Sequence, residues 1–129
     1  MFGCACWSRA NPSKFGGGEQ LRDFTYVDDA VEAFLLAAQR EEANGQIFNV
    51  GGCEVVNLHQ VAQLAVEANG GGEYQVRAFP AERKRIDIGD YYADDRRIRT
   101  TLGWQPTVPL REGLVRTLAY YRQHLEHYR

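Results

Sequence analysis

Arginine is the residue type with the most chemical potential in this 129-residue chain: 13 of its 15 basic residues are Arg, and only Lys14 and Lys84 are lysine. A guanidinium presents a planar fork of donors that matches the oxygens of phosphate and carboxylate. Seven of the 15 basic residues fall between Arg77 and Arg99, beside Asp87, Asp90, Asp94 and Asp95. Two readings of that stretch are open. One is a solvated face laced with ion pairs that each contribute little. The other is a diphosphate site with a carboxylate nearby to accept sugar hydroxyls.

Other chemistries have weaker support. Gly16-Gly17-Gly18 is not part of a G-x-G-x-x-G turn, no Walker lysine follows, and a strand comes next where a helix should begin, so a plain turn is expected. Ser8 and Ser13 lie in no nucleophile elbow, and no cysteine has a histidine beside it in sequence. Cys4, Cys6 and Cys53 are an odd number, which rules out a closed disulfide framework and suits a reducing compartment. Cys4 and Cys6 are too close for a zinc knuckle, and His124 and His127 read as the polar surface of a last helix, so no metal is assigned.

A net charge of −2 and a pI near 5.9 disfavour a protein built around nucleic-acid phosphates. No apolar run approaches the roughly 20 residues needed to cross a bilayer. The opening Met1 to Trp7 is too short and too weakly charged for a signal peptide. The expected setting is therefore cytoplasmic, with no membrane or nucleic-acid partner.

The elements that must position the arginines alternate between strand and helix. Residues 20–27 read as a strand with Arg22, Phe24 and Tyr26 on one face. Asp28 or Asp29 caps the next helix, whose apolar stripe is Val31, Phe34, Leu35 and Ala38. Residues 46–50 form a short apolar strand. Asn57 and Gln60 have capping-box spacing and open a second helix that buries Leu58, Val61, Leu64, Ala65 and Ala68. Residues 74–79 read as a third strand and 81–92 as a long loop, a length that in compact domains points to function. Asp94 or Asp95 starts a short helix closed by Gly103, and a last helix carries Leu110, Leu114, Leu118, Tyr121 and Leu125 on one stripe. The sum is an α/β domain over residues 14–129 with few strands and flanking helices, preceded by an irregular leader or truncation remnant over 1–13.

Several stretches, in order along the chain, carry a resemblance. Gly16-Gly17-Gly18-Glu19-Gln20-Leu21-Arg22-Asp23-Phe24-Thr25-Tyr26-Val27-Asp28-Asp29 resembles the G-D-G-x-Q-x-R-D-F-x-Y-V-D-D segment of the extended short-chain dehydrogenases, the NAD-dependent nucleotide-sugar epimerases and dehydratases of UDP-glucose 4-epimerase type. Phe48-Asn49-Val50-Gly51 resembles the family's F/Y-N-x-G strand, and 85–94, 102–106 and 110–114 resemble its closing segments in order. The likeness runs from about residue 12 to the end and implies the small C-terminal, substrate-binding domain of such an enzyme. By that resemblance Arg22 contacts a nucleotide diphosphate, Arg83 or Arg85 joins it, and Asp87 takes ribose hydroxyls.

The family's NAD fingerprint, G-x-x-G-x-x-G, and its Tyr-x-x-x-Lys pair do not occur among the 129 residues. The resemblance therefore implies a chain lacking the Rossmann half. It would bind a UDP- or dTDP-sugar weakly and not epimerise or dehydrate it alone, with NAD a cofactor of the full-length family only. The alternative is a non-catalytic interaction module that keeps the fold. In either case exposed strand edges are expected to drive self-association, as a homodimer.

Overall fold

The computed structural model describes residues 13–16, 18–77 and 88–128. Strand β1 (Ser13–Gly16) pairs in parallel with β4 (Tyr74–Arg77), and β2 (Leu21–Asp23) pairs antiparallel with β3 (Val55–Asn57). The helices are α1 (Val27–Gln39), α2 (Leu58–Asn69), α3 (Arg96–Leu102) and α4 (Leu110–His124), of which α2 packs against β3 and β4. The architecture is α/β with few strands and flanking helices, as the sequence implies.

Local chemistry explains the best-read elements. The Asn57 side chain accepts from the Gln60 N–H at 2.8 Å, and the Gln60 side chain accepts from the Asn57 N–H at 2.8 Å. This reciprocal box satisfies two orphan donors at the start of α2 and contributes about 1 kcal/mol. Helix α2 turns Ala62 and Ala65 fully inward, with Leu58, Val61, Leu64 and Ala68 half-buried beside them. It lies against α4, where Arg122 reaches the Asn69 carbonyl at 3.0 Å and its side-chain oxygen at 2.8 Å. Helix α3 ends at Gly103, whose N–H caps the Arg99 carbonyl at 3.1 Å. Ala33 of α1, Ile98 and Leu102 of α3, and Trp104 form the main core, with Leu36, Ala37, Ala43, Phe48 and Val50 packed against it.

Helix α1 departs from the sequence expectation. Its N-cap is Tyr26, without a side-chain cap, and Asp29 lies within the first turn, buried, capping nothing. The stripe expected to face the core faces solvent instead: Phe34 is 77% exposed and Leu35 55%, with Val31 also exposed. The buried stripe is Asp29, Ala33, Leu36 and Ala37, which has the same helical spacing but begins with an aspartate. A count of apolar positions passes over a face anchored by a carboxylate. That is the physical reason for the reversal.

The strands also differ. The expected strand 20–27 narrows to Leu21–Asp23, because the chain leaves the ladder before α1 begins. Residues 46–50 belong to no ladder among the described residues, although their in–out alternation persists: Phe48 and Val50 pack on the core while Ile47 is 81% exposed. Alternation reports burial on one face, whereas a strand also needs a hydrogen-bonded neighbour. Strands β1 and β3 correspond to no strand in the sequence pattern. Residues 78 and 79, the end of the expected third strand, and most of the long loop lie outside the described residues.

Candidate functional site

Strand β2 and residues 88–95 form a seam around Arg22. The Leu21 N–H donates to Asp90 Oδ1 at 2.9 Å, and the Tyr91 N–H donates to the Leu21 carbonyl at 3.0 Å. Arg22 and Tyr91 are paired in a parallel bridge. Two residues on, Asp23 Oδ2 accepts from the Ala93 N–H at 3.1 Å and from the Gly52 N–H at 3.3 Å. A Cβ at Gly52 would collide with the Phe24 carbonyl, so only glycine lets the 51–52 turn come this close to β2. One short strand thus fastens two segments distant in sequence.

Arg22 is half-buried, and its Nη1 donates to the carbonyls of Leu21 and Gly89, both at 2.6 Å. Among the described residues no carboxylate pairs with it, unlike Arg96, Arg99 and Arg116. Among the described residues its guanidinium is held by neutral carbonyl oxygens, and a guanidinium so held retains donors that match the oxygens of an anion. Arg83, Arg85 and Asp87, the other residues implicated by sequence, lie outside the described residues.

The described end of the charged stretch follows the blander of the two sequence readings. Arg96 grips Asp94 through Nε and Nη2, and Arg99 grips Asp95 at 2.7–2.8 Å. The Arg96 side chain and N–H hold the Asp94 carboxyl down at about 2. Arg97 donates to the Gln46 side chain and the Ile47 carbonyl and lies over the Phe48 ring, 5.7 Å from its centroid. An open depression of about 460 Å³ lined by Asn49, Asp94, Arg96, Arg97 and Thr100 is therefore ringed by cations already engaged with the protein. These are surface contacts of small energetic weight.

Asp29 does something different. Its Oδ1 accepts from the Thr107 N–H at 3.0 Å and the Thr107 hydroxyl at 2.7 Å, and its Oδ2 accepts from the Val108 N–H at 3.0 Å. Its backbone carbonyl takes the Trp104 indole N–H at 2.9 Å. Burial pushes this carboxyl up, but the donors of Thr107 and Val108 and the nearby Arg116 outweigh burial and hold it below the usual range. Asp29 pins the 104–108 turn onto α1. Sequence reasoning assigned it a capping role; the only available signal was an aspartate spaced one turn before Ala33.

Among the described residues there is no cluster of three His, Cys, Asp or Glu that could hold a metal. Strand β1 ends at Gly16 and the next described element is strand β2, not a helix, and no Tyr-x-x-x-Lys pair occurs in the sequence. The strand-to-helix turn that seats a dinucleotide pyrophosphate on a helix N-terminus does not follow β1 among the described residues.

Comparison with known proteins agrees with this architecture. A family model described as GDP-mannose 4,6 dehydratase matches residues 5–117. UDP-glucuronic acid decarboxylase 1 of Xenopus tropicalis is 36% identical over 118 residues, covering 88% of this chain and 26% of that protein. The UDP-glucose 4-epimerase of Thermotoga maritima, solved with UDP-glucose, is 33% identical and superposes with a TM-score of 0.77, covering 91% of this chain and 37% of the other. The UDP-glucuronic acid 4-epimerase of Bacillus cereus, solved with NAD, is 26% identical with a TM-score of 0.72, covering 88% and 35%. The chain spans about a quarter to a third of the length of the curated relatives it matches. With a match over most of its length and a shared fold, this chain belongs to the GDP-mannose 4,6-dehydratase family of NAD-dependent epimerases and dehydratases.

Proposed function

We propose that this chain is the nucleotide-sugar-binding portion of an NAD-dependent sugar epimerase or dehydratase, taking a UDP- or dTDP-sugar. Arg22, with Arg83 or Arg85, holds the diphosphate, and Asp87 accepts the ribose hydroxyls. The observation that carries the reading is Arg22 itself: a half-buried guanidinium fixed on two carbonyls, with no carboxylate partner among the described residues. Relatives solved with UDP-glucose and with UDP-glucuronic acid support the ligand class.

The chain binds and orients; it does not carry the redox step. NAD would supply the hydride acceptor, and the 129 residues contain neither its glycine turn nor the Tyr-x-x-x-Lys pair. Calorimetric titration with UDP, dTDP and UDP-sugars tests the reading. Weak, diphosphate-dependent binding that is lost in Arg22→Ala is the expected result. Equal binding by the wild type and the Arg22→Ala, Asp87→Ala double variant would falsify it.

A second reading rests on the outward face of α1. Val27, Val31, Phe34 and Leu35 form an exposed apolar stripe at helical spacing, and Ile47 projects from the unladdered segment 46–50. Such a face favours association, here as a homodimer. Sedimentation equilibrium at micromolar concentration should show a dimer that Phe34→Asp disperses; a monomer at all concentrations contradicts this reading.

A further inference from the structure

The orientation of Arg22 is set by residues 89–91. Its Nη1 is shared between the carbonyls of Leu21 and Gly89, both at 2.6 Å, and among the described residues Nε and Nη2 have no hydrogen-bond partner. Gly89 presents its carbonyl from a left-handed backbone conformation, φ +68°, that side-chain-bearing residues rarely adopt. Asp90 then locks the turn: its Oδ1 accepts the Leu21 N–H at 2.9 Å, while the Tyr91 N–H meets the Leu21 carbonyl at 3.0 Å. Apart from Arg22, Asp90 supplies the only side chain in this lock among the described residues. It is exposed, and among the described residues it makes no ion pair and belongs to no core cluster.

A carboxylate beside a diphosphate site is electrostatically unfavourable, since it repels the incoming anion. Its presence is explained if its acceptor oxygen matters more than its charge. We propose that Asp90 is a positioning residue of the diphosphate site: it holds the Gly89 carbonyl against Arg22, so that the guanidinium is oriented before a nucleotide diphosphate arrives. This rests on the reading of Arg22 as the phosphate ligand. Preorganising a long, rotamer-rich side chain lowers the cost of ordering it on binding.

The idea makes opposite predictions for two substitutions at one site. Asp90→Asn keeps an acceptor oxygen and removes the charge; Asp90→Ala removes both. Titration of the 129-residue chain with UDP and with uridine, followed by amide ¹H–¹⁵N spectra, reads the difference. Asp90→Ala should weaken UDP about 5- to 10-fold, the scale of one lost hydrogen bond, and leave uridine unchanged. Asp90→Asn should bind UDP as tightly as wild type or more tightly. In an Arg22→Ala background, Asp90→Ala should cost nothing further, because residues acting as one unit are not additive.

Should Asp90→Ala lose its folded spectrum, Gly89→Ala gives the same reading. A Cβ there meets nothing within 4 Å, so only the backbone conformation is strained. Tighter UDP binding by both Asp90 variants would mean that only charge matters and would overturn the proposal. So would a loss shared equally by UDP and uridine, or a further loss in the Arg22→Ala background. A wild-type chain with no response to UDP overturns the ligand reading of Arg22 together with this one. UDP binding that neither Asp90→Ala nor Gly89→Ala alters overturns only the positioning role.

Discussion

Asp29 and Arg22 both tie an early segment to one about 70 to 80 residues later, yet they finish in opposite conditions. Asp29 is 2% exposed and both its carboxylate oxygens and its carbonyl have donors. Arg22 is half-buried, and among the described residues one of its nitrogens is held, by two carbonyls, and no carboxylate pairs with it. A buried charge survives only when its hydrogen-bonding capacity is met, and a group so satisfied has nothing left for a ligand. A charged group that is oriented but incompletely used is what a binding site requires. The contrast separates a residue that holds the fold from the one proposed to bind, although both belong to the same conspicuous stretch of sequence.

The comparison breaks most readily at Asp29. Asp29→Ala leaves the Thr107 and Val108 N–H groups without acceptors in a buried setting and should destabilise the chain by about 3 kcal/mol or more. Thermal unfolding followed by circular dichroism reads this directly, and a melting curve matching wild type would remove Asp29 from its structural role. The pH dependence has a definite sign. The folded-state Asp29 carboxyl lies below its unfolded value, so its contribution is complete above the ordinary carboxylate range and is lost as pH falls through the folded value. Acid unfolding below about pH 4 should therefore be steeper in wild type than in Asp29→Asn.

Arg22→Ala should show the converse profile: a stability loss of about 1 kcal/mol, from the bonds to Leu21 and Gly89, beside loss of diphosphate binding. A large drop in melting temperature with unchanged UDP affinity would make Arg22 a second Asp29 and erase the contrast. Smaller still is the effect at the outer face of α1. Phe34 is 77% exposed, so Phe34→Ser should change monomer stability by no more than about 0.5 kcal/mol. The surface pairs mark the lower limit. Asp94 titrates at about 2 because Arg96 grips it, so carbon-detected titration should show that midpoint rise toward the ordinary value in Arg96→Ala with no measurable change in melting.

Local chemistry made much of this molecule readable. The Asn57–Gln60 box, the glycine closing α3 and the leucines of α4 each combine a helical period with a boundary signal a few residues away. Arg22 was singled out through its place in a resembling segment. Asp23 and Asp90 were not, because what distinguishes them is a backbone N–H contributed by a segment about 70 residues away. The face of α1 was misread for a related reason. Two stripes at the same period compete along that helix, and the one that wins begins with an aspartate whose partners, Thr107 and Val108, lie far downstream.

By itself the sequence determined which segments become helices, that Gly103 closes α3, and the family to which the ordered motifs point. Those properties depend on neighbours within a turn or two, where propensity, capping and period act directly. Only the tertiary structure decided which side of α1 is buried, that residues 46–50 stay outside the described ladders, and that Arg22 donates to the Gly89 carbonyl beside the bond from Leu21 to Asp90. Each of those outcomes depends on which distant donor or apolar surface reaches a residue first, and that information is absent from any local stretch of chain.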